Sequence, residues 1–235
     1  MSGGGLLIGR EPVLAAAGLL MAEARRGAGQ FLLINGEAGI GKTALLTALA
    51  RSSASAGALV LSGFCWQGEG APPYWPWSQV LRTSGLPAAE LAAAAWLTQP
   101  TTSTAELRTA AEAADAQFLL FEAVSASLAG LAADRPLVVV LDDLHWADAP
   151  SLRLLGFLAR SLAGDAVALL GAYRDAEAPG ALHELAASAQ QLALPGLDSA
   201  QVGELARSLR GHMCHQRSAP GSGSAAAATP SSSAS

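Results

Sequence analysis

Residues Gly36-Glu37-Ala38-Gly39-Ile40-Gly41-Lys42-Thr43 fix more of this chain's architecture than any other stretch. They are led in by the apolar run Phe31-Leu32-Leu33-Ile34 and followed by the helix-forming run Ala44-Leu45-Leu46-Thr47-Ala48-Leu49-Ala50. A strand, a glycine-rich turn and a helix in that order make a P-loop. Its glycines let the backbone curl into a concave nest whose N–H groups face phosphate oxygens, and the helix N-terminus adds its positive end. Lys42 is placed to reach β- and γ-phosphates, and the Thr43 hydroxyl to hold Mg²⁺.

About one hundred residues later comes Pro136-Leu137-Val138-Val139-Val140-Leu141, a β-branched, uninterrupted run suited to a strand buried on both faces. It ends in Asp142-Asp143. A carboxylate at the C-terminal end of a strand, expected here to lie beside the P-loop strand, can hold Mg²⁺ through its water shell. Asp142 is therefore the candidate metal residue and Asp143 the candidate that positions the attacking water. An Asp is one methylene shorter than the Glu such a position often carries, which points to slow turnover. The next buried strand, near 166–172, runs into Tyr173-Arg174-Asp175. Arg174 can look into the γ-phosphate pocket from there and stabilise transferring charge. The other pattern its neighbours allow is a surface pair with Asp175 or Glu177.

Composition limits the alternatives. A chain of 235 residues, rich in Ala and Leu, builds one good-sized α/β domain. A net charge of −5 argues against nonspecific binding to nucleic acid or anionic lipid. Two cysteines, Cys65 and Cys214, offer no disulfide framework, as expected of a cytoplasmic chain. No uninterrupted apolar run approaches the roughly 18 residues of a membrane span. The segment Val13–Ala22 has the composition of an export signal, but Arg10 before it is offset by Glu11 and followed by Pro12. Glu11-Pro12 instead opens a helix that Arg25 and Arg26 close.

The remaining elements alternate. Strands are expected near 30–35, 57–62, 137–142, 166–172 and 191–194. Helices are expected near 43–55, 78–84, 88–97, 104–133, 150–163, 180–190 and 198–209. An aromatic, proline-rich loop runs from Trp66 to Trp77. This alternation predicts an α/β, doubly wound parallel sheet with helices on both faces and a nucleotide at the strands' C-terminal ends. The core is expected over residues 1–210. From 211 to 235 the Ser/Ala/Gly/Pro-rich sequence predicts a disordered low-complexity tail. His212, Cys214 and His215 cluster before it, but neither a fourth ligand nor a scaffold for a metal is visible.

Beyond these local readings, the chain resembles the ATPase domain of large LuxR-type transcriptional regulators, in the STAND branch of the AAA-like P-loop ATPases. The residues that carry this are Leu7-Ile8-Gly9-Arg10-Glu11, the P-loop, Pro73-Tyr74-Trp75-Pro76-Trp77, Leu141-Asp142-Asp143-Leu144-His145-Trp146-Ala147-Asp148 and Tyr173-Arg174-Asp175. The resemblance covers roughly residues 6–209. It implies that Ile8, Gly9 and Arg10 lie by the adenine and that Arg174 is a sensor arginine. It assigns His145, Trp146 and Asp148 nothing beyond packing. The family's helical lid, helical repeats and helix-turn-helix are not recognisable after Leu209, so the sequence is expected to be a truncated or frameshifted member.

Three functions are compatible with these residues. The first is an ATP- and Mg²⁺-binding switch with slow hydrolysis, contacting ATP or ADP, further regulator domains or a second copy of itself. The second is a nucleotide-binding remnant that neither switches nor hydrolyses. The third is a small-molecule kinase, disfavoured because only Arg82 and Arg108 lie between Trp66 and Asp134 to cover phosphates. A dinucleotide-binding fold lacks its Gly-x-Gly-x-x-Gly, and direct DNA contact lacks a basic helix. The switch is the expectation carried forward.

Overall fold

The computed structural model describes residues 9–68, 70–86, 110–196, 199–203 and 207. The chain divides into a body, Gly9–Gly196, and a second unit made of Met1–Ile8 with Leu197–Ser235. Of the second unit, 199–203 are helical, within the helix expected from 198. The expected helix at 88–97, the start of the one at 104–133 and the tail from 211 lie outside the described residues.

Within the body the order is α1 (Glu11–Ala24), β1 (Gln30–Asn35), α2 (Lys42–Ser55), β2 (Leu59–Phe64), α3 (Trp75–Arg82), α4 (Ala110–Asp134) and β3 (Leu137–Asp142). It continues with a 3₁₀ turn (Leu144–Trp146), α5 (Ala149–Ser161), β4 (Val167–Tyr173), a second 3₁₀ turn (Asp175–Glu177), α6 (Gly180–Ala186) and β5 (Gln190–Ala193). The five strands form one parallel sheet in the order β2-β3-β4-β1-β5. The apolar runs in β1, β3 and β4 are almost wholly buried, as strands covered on both faces must be. Alternation along the strands assigns the two faces. Phe31, Leu33, Val139 and Leu169 pack with α3, α4 and α5, whereas Val138 and Ala168 look toward α1 and α2. This is the expected doubly wound α/β fold.

Two expectations need correction. The acid-bearing strand β3 is not the neighbour of β1, because β4 lies between them. Uninterrupted apolar strands look alike in sequence, so composition cannot say which two are adjacent. The insertion has a use. Asn35 pairs with Tyr173, so the chain leaving β4 carries Arg174 out between the P-loop and the acids. The second correction concerns α4, whose segment Ala114–Asp134 is long and apolar enough, by length and composition, to cross a membrane, with mean hydropathy 1.5. Leu119, Leu120, Leu128 and Leu131, with Phe118, Phe121 and Val124, carry most of that average. The helix seats Leu120, Phe121, Val124 and Leu128 in the core beside Phe157 and leaves Phe118 and Leu119 exposed.

A glycine in the middle of β4 shapes the site end of the sheet. A Cβ on Gly171 would come within 2.5 Å of both Leu144 Cδ1 and Leu33 Cδ2. Its absence lets Leu144 press onto β4, which fixes where the 3₁₀ turn after β3 lies. The aromatic loop packs against the far side of that turn's exit. Asp148 caps α5, accepting from Ser151 N at 2.8 Å and Ser151 Oγ at 2.6 Å. The same carboxylate accepts from Tyr74 N at 3.3 Å, and Trp77 Nε1 donates to Ser151 O at 3.1 Å. Tyr74 holds the left-handed backbone at φ 62° that starts α3. Asp148 thus acquires a role the sequence could not assign: it joins the aromatic loop to the segment that leaves β3.

Candidate functional site

The P-loop wraps the N-terminus of α2 as its sequence requires. Gly41, at φ 103°, is the N-cap and provides no side-chain acceptor, leaving the helix's first N–H groups unspent. Nothing lies within 4 Å of where its Cβ would be, so backbone conformation rather than space demands glycine there. Glu37, Ala38 and Gly39 form the exposed crest of the loop, with Gly36 and Ile40 half-buried at its feet. Lys42 is buried and folds back over the loop, Nζ donating to Gly36 O at 2.8 Å and Glu37 O at 2.7 Å. Thr43 is exposed at the helix start. Unspent amides, an open concave turn and a lysine stored on carbonyls it can leave fit a phosphate group.

Asp142, at the end of β3, is half-buried and accepts from the Asp143 amide at 2.9 Å. Asp143 adopts the left-handed conformation, φ 56° and ψ 40°, which is uncommon outside glycine and turns its side chain out of the strand direction. Burial pushes its carboxyl above the ordinary range and Asp142 adds to the rise, while His145, Arg174 and Lys42 oppose it. Burial likewise lowers Lys42, reinforced by Arg174, with Asp143, Asp142 and Glu177 pulling the other way. The four predicted residues Lys42, Asp142, Asp143 and Arg174 therefore share one electrostatic cluster at the C-terminal ends of the strands.

Arg174 is in that cluster but already engaged. Its NH1 donates to Glu177 Oε1 at 2.8 Å, and its guanidinium lies 5.2 Å from the centre of the Trp146 ring. The hydrogen bond favours the charged form of both partners, raising Arg174 and lowering Glu177. A groove of about 380 Å³ between the P-loop and this pair is lined by Asn35, Glu37, Ala38, Arg174 and Glu177, among others. The surface pair with Glu177 and the approach to the phosphate pocket are thus both present in the geometry.

The expected adenine-side residues divide. Ile8 lies outside the described residues. Gly9 stands at φ 71° before α1. Arg10 is buried and spends its guanidinium on Pro195 O at 2.7 Å and Ile40 O at 3.0 Å. It ties the entry to α1 and the residues after β5 onto the P-loop, a bracing role that a 185-residue sequence separation concealed.

The sequence assigned His145 and Trp146 only packing and Glu177 only a surface pair with Arg174; the structure brings all three to the site. The His145 side chain is fully buried, and neither ring nitrogen has a hydrogen-bond partner among the described residues. Its Nε2 lies 3.9 Å from Asp143 Oδ1 and 3.8 Å from Glu177 Oε2. Burial lowers its pKa, so the neutral ring is favoured. Cys65, the buried thiol at the end of β2, is pushed up to about 12 by burial and by Asp148, Asp143 and Asp142, which leaves it unreactive.

This arrangement can be set against known proteins. The family model described as AAA ATPase domain matches residues 6–170. A search of curated proteins finds no match. Among solved structures, the chain is similar to the Aeropyrum pernix ORC1 protein, solved in complex with DNA, at 20% identity and TM-score 0.57 over 88% of this chain and 50% of that one. It is similar to a variant of Thermotoga maritima RuvB at 17% identity and TM-score 0.50, over 88% of this chain and 52% of that one. It is also similar to Drosophila ORC bound to DNA, at 14% identity and TM-score 0.51, covering 90% and 50%. The chain spans about half the length of these proteins, and at such identities the likeness is one of fold. The family match, which covers well over half of the sequence, says more: the chain belongs to the AAA ATPase domain family.

Proposed function

We propose that this chain binds ATP with Mg²⁺ and hydrolyses it slowly, as the nucleotide-dependent switch of a LuxR-type transcriptional regulator. The observation that carries this reading is the convergence of Lys42, Asp142, Asp143 and Arg174 above the strands' C-terminal ends. The amides of Gly39 to Thr43 would cradle the phosphates, and Lys42 would leave Gly36 O and Glu37 O to meet them. Thr43 and Asp142 would hold Mg²⁺, which supplies charge neutralisation at the bridging phosphate oxygens. Neighbouring strands are about 4.8 Å apart, so the ends of β1 and β3, with β4 between, stand about 10 Å apart. That gap suits a metal-bridged phosphate tail.

Asp143 would orient the water. Its short side chain supports a slow rate by holding the carboxylate back from the water, whereas burial, which raises its pKa, makes it a stronger base. Arg174, resting on Glu177 and Trp146, would turn toward the γ-phosphate when one is present, which gives the two nucleotide states different contacts. The regulator setting rests on the Asp-Asp-Leu-His-Trp-Ala-Asp segment. Partner domains or a second copy would respond to nucleotide, and no direct nucleic-acid contact is proposed for this chain. Asp143→Asn should retain Mg·ATP affinity while hydrolysis falls about tenfold or more. Hydrolysis at the wild-type rate in that variant would remove Asp143 from the role.

A further inference from the structure

We propose that His145 is a positioning residue for hydrolysis, its buried ring sharing one hydrogen bond between Asp143 and Glu177 according to where Arg174 rests. The proposal rests on the nucleotide reading above and adds residues to it. A fully buried imidazole with neither nitrogen hydrogen-bonded is unusual, because buried polar groups are nearly always satisfied. Here the vacancy is symmetrical. Nε2 is 3.9 Å from one carboxylate and 3.8 Å from the other, too far to bond either and near enough that about 1 Å of movement would close one gap.

The two carboxylates differ in what else holds them. Glu177 is held by Arg174 at 2.8 Å, with its other oxygen turned toward the histidine. Asp143 has its backbone fixed in a left-handed turn, and none of the hydrogen bonds found among the described residues falls on its carboxylate. The 4.4 Å separation of the His145 and Trp146 rings keeps the imidazole from swinging away, and Trp146 also carries the Arg174 guanidinium. When Arg174 leaves Glu177 for a γ-phosphate, the freed carboxylate competes for the His145 N–H. When Glu177 stays with Arg174, the N–H is available to Asp143 and fixes the orientation of its carboxylate. His145 acts by donating a hydrogen bond once one gap closes, and transfers no proton.

Two independent readouts test this. In nucleotide-free protein, the ¹⁵N resonances of the His145 ring, identified among four histidines by their loss in His145→Phe, should move in Glu177→Gln. Unmoved resonances would overturn the proposal without reference to ATP. In single-turnover hydrolysis at saturating Mg·ATP, His145→Phe should be about tenfold slower, the cost of one charge-assisted hydrogen bond, with ATP affinity unchanged. His145→Gln, which keeps a donor, should recover part of that loss. Glu177→Gln, at an exposed position that does not threaten folding, should be about threefold faster. That gain should vanish in His145→Phe/Glu177→Gln. A gain that survives in the double variant, or a Glu177→Gln that is no faster, overturns the proposal and leaves the nucleotide reading intact. Wild type that binds no Mg·ATP, or binds it without need of Lys42, overturns the reading and this proposal together.

Discussion

Replacing Asp148 by alanine should destabilise the protein by about 2 kcal/mol. The carboxylate caps α5 at 2.8 Å from Ser151 N, and losing such a cap costs about 1 kcal/mol. It also accepts from Ser151 Oγ at 2.6 Å, and Ser151 is only 2% exposed. Leaving that hydroxyl unpaired adds about 1 kcal/mol. The contact to Tyr74 N, at 3.3 Å, is long and adds little to the sum. With a urea m-value of about 2–3 kcal/mol/M for a body of this size, the midpoint should fall by about 0.7–1 M. Asp148→Asn keeps an oxygen facing the Ser151 amide and should lose less than half as much. In a double-mutant cycle, Asp148→Ala and Ser151→Ala should couple by about 1 kcal/mol. An Asp148→Ala variant within about 0.5 kcal/mol of wild type, in the range of ordinary surface substitutions, would refute the claim that this carboxylate caps α5 and satisfies Ser151.

Gly171→Ala should cost about 1–3 kcal/mol in the same urea assay, because its Cβ would meet Leu33 and Leu144 at 2.5 Å and both are essentially unexposed. The effect of pH follows from His145, which faces Asp143, Glu177, Arg174, Lys42 and the Trp146 ring. Its folded pKa lies below the ordinary 6.5, so between the two values the unfolded chain binds more protons. Stability should therefore decline as pH falls below about 6.5, and His145→Phe should flatten that decline in urea midpoints taken at several pH values. An identical slope in the variant would move the effect to another group.

The chemistry-bearing residues were legible because their spacing along the chain is short and fixed. Gly36 to Thr43 need only their own order, and Asp142-Asp143 and Arg174 each follow a strand that composition marks clearly. What stayed hidden depends on contacts between distant segments. The position of β4 between β1 and β3 is a matter of pairing, which two equally apolar runs do not encode separately. Nor could the sequence show that Arg10 binds two backbone acceptors, on Pro195 and Ile40. His145 looked like packing, and it is buried, but its two unmet nitrogens appear only once Glu177 has been folded up against it. The membrane-length segment in α4 escaped a reading by uninterrupted runs, because Glu122 and the serines break up its apolar residues.

The central claim is that the loop around Lys42 is a working nucleotide site. Equilibrium titration of a fluorescent ATP analogue with Mg²⁺ into wild type and Lys42→Ala tests it most directly, with circular dichroism confirming that both are folded. The account predicts saturable binding to wild type that is lost or weakened at least about a hundredfold in Lys42→Ala, since the ammonium's charge-assisted contacts to two phosphates are worth about 3 kcal/mol or more. Folded wild type that does not bind, or a Lys42→Ala variant that binds equally well, would contradict it.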